Sequence, residues 1–254
     1  MIIQEEFRAL VEETVSMCRE YFGRKLIAVY LHGSINYGDA IPGVSDLDCC
    51  VVLGEIPCPE DKEWLCKSID KLQKRFPAAE GIHITTYTVD NLRADKWTRF
   101  MLKYNASLYA GIDIVEMLDS ESIDKLYPDL QIARARLGFA RKCFEDALNG
   151  KQPACTGEIP QNTYYAARKF ARYFVVIEGA YWLMSQNKFK SFAKEDVLSG
   201  LKENCRQFED IFELTDSILR DPVDAGIGHV TYLKRIEPFV EWIFESISTG
   251  DAIA

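Results

Sequence analysis

The chain has few of the residues that staple or anchor a protein. Its 254 residues include three histidines, and no two of its eight cysteines, at 18, 49, 50, 58, 66, 143, 155 and 205, form a C-x-x-C pair. No zinc spacing can therefore be drawn. Cys49 and Cys50 are adjacent in an apolar run, so on a strand they point to opposite faces. Reduced core thiols are expected rather than a disulfide scaffold, which fits a cytoplasmic protein. The first residues, MIIQEEF, lack the basic-then-apolar shape of a signal peptide. No apolar run approaches the ~20 residues of a membrane span, so no membrane partner is expected. A basic excess is also missing. Thirty Lys and Arg stand against 39 Asp and Glu, for a net charge of −9. That argues against a nucleic-acid partner, which needs a basic face, and suits a neutral or cationic small ligand. Internal repeats and low-complexity tracts are absent. What is present is 48% hydrophobic and 27% charged sequence, enough for a packed core in one large domain or two ordinary ones.

The pattern changes character along the chain. Apolar residues at 3, 7, 10, 11, 15, 18, 21 and 22 predict an amphipathic helix ended by Gly23. Leu26–Leu31 and Cys49–Leu53 read as buried strands. A helix is predicted over 61–76, a third strand over 81–89, and a helix from Asn91 to about Tyr104 with Asp90 as its N-cap. Residues 108–118 read as a turn and a fourth strand. From Asp119 on the pattern is helical: 130–148, a long apolar helix over 162–186, then 193–202, 206–220 and 230–248. The expected class is α+β, with a small mixed-sheet domain over 1–118 and an all-α helical bundle over 119–254.

The chemistry concentrates between residues 26 and 53, LIAVYLHGSINYGDAIPGVSDLDCCVVL. Asp46 and Asp48 are two apart at the start of the second strand and project to one face. Two converging carboxylates repel unless a cation lies between them. Mg²⁺ takes oxygen ligands and binds through one or two carboxylates plus substrate phosphates. Gly33 removes the side chain where a phosphate must approach the backbone, and Ser34 adds a hydroxyl beside the turn amides. The pattern favours in-line displacement at phosphorus. A lone Asp-x-Asp is ordinarily a solvated strand end; the Gly-Ser pair between the same two strands points to a site instead.

The stretch YLHGSINYGDAIPGVSDLDCCVV resembles the signature of the DNA polymerase β-type nucleotidyltransferase superfamily, and the whole chain most resembles bacterial aminoglycoside nucleotidyltransferases. That resemblance implies an N-terminal nucleotidyltransferase domain, a C-terminal helical bundle, and transfer of AMP or another NMP from ATP or another NTP to a hydroxyl of a small molecule. The acceptor it implies is an aminoglycoside-type antibiotic, bound in a cleft against the bundle. By the same resemblance Asp46 and Asp48 hold Mg²⁺ against the triphosphate, and Gly33 and Ser34 bind phosphate. Lys194 and Arg172 are the matches for the basic residues that contact ATP phosphates. The plainer reading of each of these two is a solvated charge. Tyr181 and Trp182 read either as pocket lining or as core. A monomer or homodimer is expected.

One position departs from the resemblance. The superfamily carries a third carboxylate on the next strand, where GIHITTYTVDNL has His83. An imidazole can accept a proton near neutral pH. The nearest acids, Glu80 and Asp90, have the wrong parity for the face carrying His83, Thr85 and Tyr87. Three readings remain: His83 as general base, a base borrowed from elsewhere, or a degenerate domain that binds nucleotide as a sensor. A protein-modifying AMP transferase is a further alternative, disfavoured because such enzymes are minimal domains without a bundle.

Overall fold

The computed structural model describes residues 3–121, 130–154 and 159–248. The chain divides into two compact units, Met1–Tyr127 and Pro128–Ala254. The α+β class read from the sequence holds: a four-stranded mixed sheet with helices precedes an all-helical half.

In the first unit, α1 (Glu5–Phe22) buries Phe7, Leu10, Val11, Thr14, Val15, Cys18 and Phe22, a stripe at three- and four-residue spacing. It ends at Gly23, whose φ is +48°. The strands are β1 (Leu26–His32), β2 (Leu47–Leu53), β3 (Ile82–Thr88) and β4 (Ala106–Gly111), in the order β3-β2-β1-β4. β1 pairs antiparallel with β2 and β4, while β2 and β3 are parallel. The parallel pair needs a crossover, supplied by α3 (Pro59–Arg75). This helix begins two residues earlier than the sequence pattern implies, because Pro59 fits the first turn and Asp61 caps it, accepting from Cys58 N at 3.0 Å. Val29, Leu31, Cys49 and Val51 pack on the face shared with α1 and α3. Ala28, Tyr30, Cys50 and Val52 pack on the other face. Cys49 and Cys50 thus face opposite ways, and none of the seven described cysteines is in a disulfide. Cys155 lies outside the described residues. Burial pushes the Cys18 and Cys50 thiols up to about 12, so both stay protonated. No helix among the described residues is long and apolar enough to cross a membrane.

Two stretches differ from the sequence pattern. The helix expected over 91–104 is two, α4 (Val89–Ala94) and α5 (Lys96–Asn105). Thr88, not Asp90, caps α4, its hydroxyl accepting from Asn91 N at 3.1 Å. Asp95 between the helices accepts from Thr98 N at 3.2 Å and so starts the second. The strand expected over 108–118 stops at Gly111, and Ile114–Glu121 is helix α6. Asp113 caps that helix, accepting from Val115 N and Glu116 N at 3.1 Å each. Tyr30 ties the cap to the sheet: its hydroxyl donates to Asp113 Oδ1 at 2.9 Å and accepts from Ile114 N at 2.8 Å.

The second unit contains α7 (Leu130–Leu148), α8 (Thr163–Phe170), α9 (Glu178–Ser185), α10 (Lys194–Asn204), α11 (Glu209–Arg220) and α12 (His229–Ser248). The helix expected over 162–186 is continuous, but a π-helical segment, Ala171–Ile177, joins α8 to α9. Asn162 caps it, accepting from Tyr164 N at 2.9 Å. Tyr181 and Trp182 are core residues, and Trp182 Nε1 donates to Ser246 Oγ at 3.1 Å. Phe144 meets Phe174 edge-on at 5.0 Å, and Phe212 meets Phe239 in the same way. α9 and α10 approach so closely that a Cβ on Gly179 or Gly200 would run into Leu201 or Leu183 of the facing helix.

Two glycine substitutions should separate backbone strain from helix propensity. Gly111 has φ +92°, and a Cβ there would collide with the Ile27 carbonyl oxygen. Gly111→Ala is expected to cost about 2 kcal/mol or more, lowering Tm by about 5 °C or more. Gly138 sits in α7 with nothing near its Cβ position. Gly138→Ala is expected to raise stability by about 0.5–1 kcal/mol. Thermal scans of both variants check this.

Candidate active site

β1 ends at His32 and runs directly into α2 (Gly33–Tyr37). Gly33 and Ser34, expected as a turn, are therefore the first two residues of a short helix. Gly33 has φ +72°, a left-handed conformation that disfavours any side chain. A Cβ on Gly33 would also lie well inside contact distance of Asp48 Oδ2. The Asp48 carboxylate therefore rests against the strand-to-helix corner: the backbone conformation favours glycine there, and a side chain would displace the carboxylate.

The loop from 38 to 46 is pinned on both sides. Gln4 brackets Ala40, donating to its carbonyl at 3.0 Å and accepting from its N–H at 2.9 Å. Ser45 Oγ accepts from Ile41 N at 2.9 Å. Gly43 N donates to Ala78 O at 2.7 Å, Glu80 N to Ser45 O at 3.0 Å, and Leu47 N to Gly81 O at 2.9 Å. These bonds fix Asp46, just before β2, against the segment that leads into β3.

Sheet register completes the cluster. Asp48 is the lateral partner of His32 on β1 and of His83 on β3. The three side chains therefore project from one face, continuous with Tyr30 and Cys50. His83 Nε2 lies 3.8 Å from Asp46 Oδ2, beyond hydrogen-bond range, with its side chain 64% exposed. Burial pushes the Asp48 carboxyl up; His32 and His83 oppose that shift and Asp46 adds to it. Burial likewise pushes His32 down, against the attraction of Asp48. A desolvated carboxylate beside a second carboxylate, with a neutral imidazole for company, lacks positive charge. That donor set fits a hard cation. Among the described residues no group of three His, Cys, Asp or Glu side chains is arranged to hold a metal. A cation here would therefore draw its remaining ligands from phosphate oxygens and water.

The structure brings Gly33, Ser34, Asp46, Asp48 and His83 together at one end of the sheet. Lys194 and Arg172 belong to the second unit: Lys194 opens α10, its Nζ 3.8 Å from Glu195 Oε1, and Arg172 lies half-buried in the π segment. Arg168, one turn before it, is buried rather than solvated and donates from Nε to Leu219 O at 3.3 Å. Asp90 lies in α4 and pairs with Arg93 at 2.8 Å, and Glu80 is exposed ahead of β3. Sequence reasoning missed His32. Its place before Gly33 is visible in the sequence, but its pairing with Asp48 depends on strand register.

Residues 11–89 match the profile of the nucleotidyltransferase domain, a span that holds every residue of this cluster. The chain thus carries a nucleotidyltransferase domain, and nucleotidyl transfer is its class of activity. Among solved structures it is similar to the spectinomycin adenyltransferase AAD(9) from Enterococcus faecialis, crystallised with ATP and spectinomycin. The TM-score is 0.53 at 13% identity, covering 94% of this chain and 98% of that one. The likeness extends over both halves and concerns the fold. No curated protein matches the chain by sequence.

The half-buried Asp48 carboxylate predicts a trade between stability and function. Removing a desolvated charge without changing shape relieves its cost. In chelator at neutral pH, Asp48→Asn is expected to raise Tm by about 2–4 °C, the equivalent of about 1 kcal/mol. A fall in Tm would mean that the carboxylate is held by compensating contacts.

Proposed function

We propose that the protein moves an NMP, with AMP as the favoured group, from an NTP·Mg²⁺ complex to a hydroxyl of a small molecule of aminoglycoside type. In this reading residues 1–118 form the nucleotidyltransferase domain and 119–254 the acceptor-binding domain. The observation that carries the reading is the meeting of Asp46, Asp48, Gly33 and His83 at the end of three adjacent strands. ATP and spectinomycin, named for the neighbouring fold, support ATP as donor and an aminoglycoside-type acceptor. The net charge of −9 suits a cationic acceptor.

Asp46 and Asp48 would hold Mg²⁺. When bound, the metal supplies charge neutralisation of the triphosphate and of the leaving pyrophosphate. Gly33 keeps a side chain out of the space that Asp48 occupies, and the Ser34 hydroxyl and the first amides of α2 offer hydrogen bonds to phosphate oxygens. His83, exposed on the same face, accepts the proton of the acceptor hydroxyl as its oxygen bonds to the α-phosphorus. The α–β phosphoanhydride bond breaks and pyrophosphate leaves. Lys194 and Arg172 are assigned to offset phosphate charge. A second reading, nucleotide binding without transfer, rests on the histidine in place of a third acid.

Incubation with Mg²⁺, each NTP and a panel of aminoglycosides and lincosamides is expected to release pyrophosphate with one acceptor class, and Asp46→Asn to abolish the release. His83→Ala is expected to lower turnover about 10²–10⁴-fold, the usual span for a general base. Unchanged turnover in that variant would reject His83 as base. Nucleotide binding without release across the panel would favour the sensor reading.

A further inference from the structure

We propose that Gly81 is a positioning residue of the active site, leaving open the space in which the Asp46 carboxylate and the His83 imidazole meet. The inference rests on the roles given above to those two groups as metal ligand and base. Gly81 stands just before β3, and its carbonyl accepts Leu47 N at 2.9 Å, the contact that begins the β2–β3 pairing. Its backbone does not call for glycine. Gly33, Gly38, Gly43 and Gly111 all have positive φ, and Gly81 is not among the residues that do. An L-residue could follow the same path.

Space, not conformation, is what distinguishes the position. A Cβ on Gly81 would stand 2.9 Å from Asp46 Oδ1, 3.1 Å from His83 Nε2 and 3.5 Å from Asp46 Cγ. All three atoms are at or near the ends of side chains, and no backbone atom is among them. An added methyl would therefore leave the strand pairing intact and push the two functional groups off their positions. At Gly111, by contrast, the obstacle is the backbone of Ile27, so the fold itself requires glycine. The absence of a side chain at 81 is explained by the site alone. It lets the carboxylate and the imidazole approach to 3.8 Å over one glycine. A shift of about 1 Å in such a pair is enough to cost about 10²-fold in rate.

The test is a double-mutant cycle on the full chain, reading Mn²⁺–ATP affinity from the electron paramagnetic resonance of free Mn²⁺, with Tm and the kcat and KM for ATP alongside. Gly81→Ala is expected to keep or raise Tm, because alanine narrows the unfolded ensemble. It is expected to weaken Mn²⁺–ATP binding about tenfold and to lower kcat more than it raises KM. In an Asp46→Ala background the same substitution should change affinity less than twofold, since the carboxylate it displaces is gone. Wild-type affinity in Gly81→Ala, a Tm drop like that of Gly111→Ala, or losses that multiply in the double variant would each overturn the proposal. If Asp46→Ala weakens binding and Gly81→Ala does not, only the role of Gly81 fails. If the wild type binds no Mn²⁺–ATP, or Asp46→Ala binds it as well as the wild type, the nucleotidyltransferase reading of the site fails and takes this one with it.

Discussion

The contact on which the structure turns is the Asp48 carboxylate resting against the backbone of Gly33. It exists because β1 and β2 pair antiparallel in a register that sets His32 opposite Asp48. That register is fixed by burial on both faces. Val29, Leu31, Cys49 and Val51 fill one side, and Ala28, Tyr30, Cys50 and Val52 fill the other. A slip by one residue would exchange these sets and turn Asp48 away from Gly33. The loop between the strands cannot absorb such a slip, because Gln4, Ala78 and Gly81 hold it at several points. The hydrophobic sheet therefore positions a charge that it does not itself need.

Placing that charge has a cost, visible in the electrostatics of the cluster. Desolvation pushes Asp48 toward its neutral form, and a second carboxylate nearby adds to the push. Burial also keeps His32 from serving as a fixed cation. The site is thus short of positive charge, and a metal-bound triphosphate offers a way to supply it. Where the superfamily resemblance implies a third carboxylate, His83 leaves two. Replacing an acid by an imidazole reduces repulsion within the cluster and leaves a group that can take a proton. In the proposed reaction that group would take the proton of the acceptor hydroxyl.

Much of this was legible in the sequence. Leu26–Leu31 and Cys49–Leu53 are continuous apolar runs, and the Gly-Ser pair and Asp-x-Asp sit at their junction, so local pattern alone located the cluster. Leu130–Leu148 carried a clear helical period. What escaped the sequence depends on neighbours distant in the chain. Residues 114 and 115, Ile and Val, read as strand by propensity; the Asp113 cap and the Tyr30 hydroxyl made them helical. The π segment Ala171–Ile177 has no turn residue to announce it. His32 joins the Asp48 cluster only through the β1–β2 register, and the side chains that converge on Gly81 are visible only in three dimensions. Gly33 was read as a turn residue, and the structure makes it the first residue of a helix.

In the proposed reaction Asp46 and Asp48 together hold a metal–triphosphate complex over the corner formed by Gly33 and Ser34. A crystal structure with Mn²⁺ and a non-hydrolysable ATP analogue tests it most directly, because Mn²⁺ scatters anomalously. The expected result is an anomalous peak ligated by both carboxylates, with triphosphate oxygens completing its shell beside the first amides of α2. A metal bound without either aspartate, or a nucleotide seated elsewhere on the chain, would contradict it.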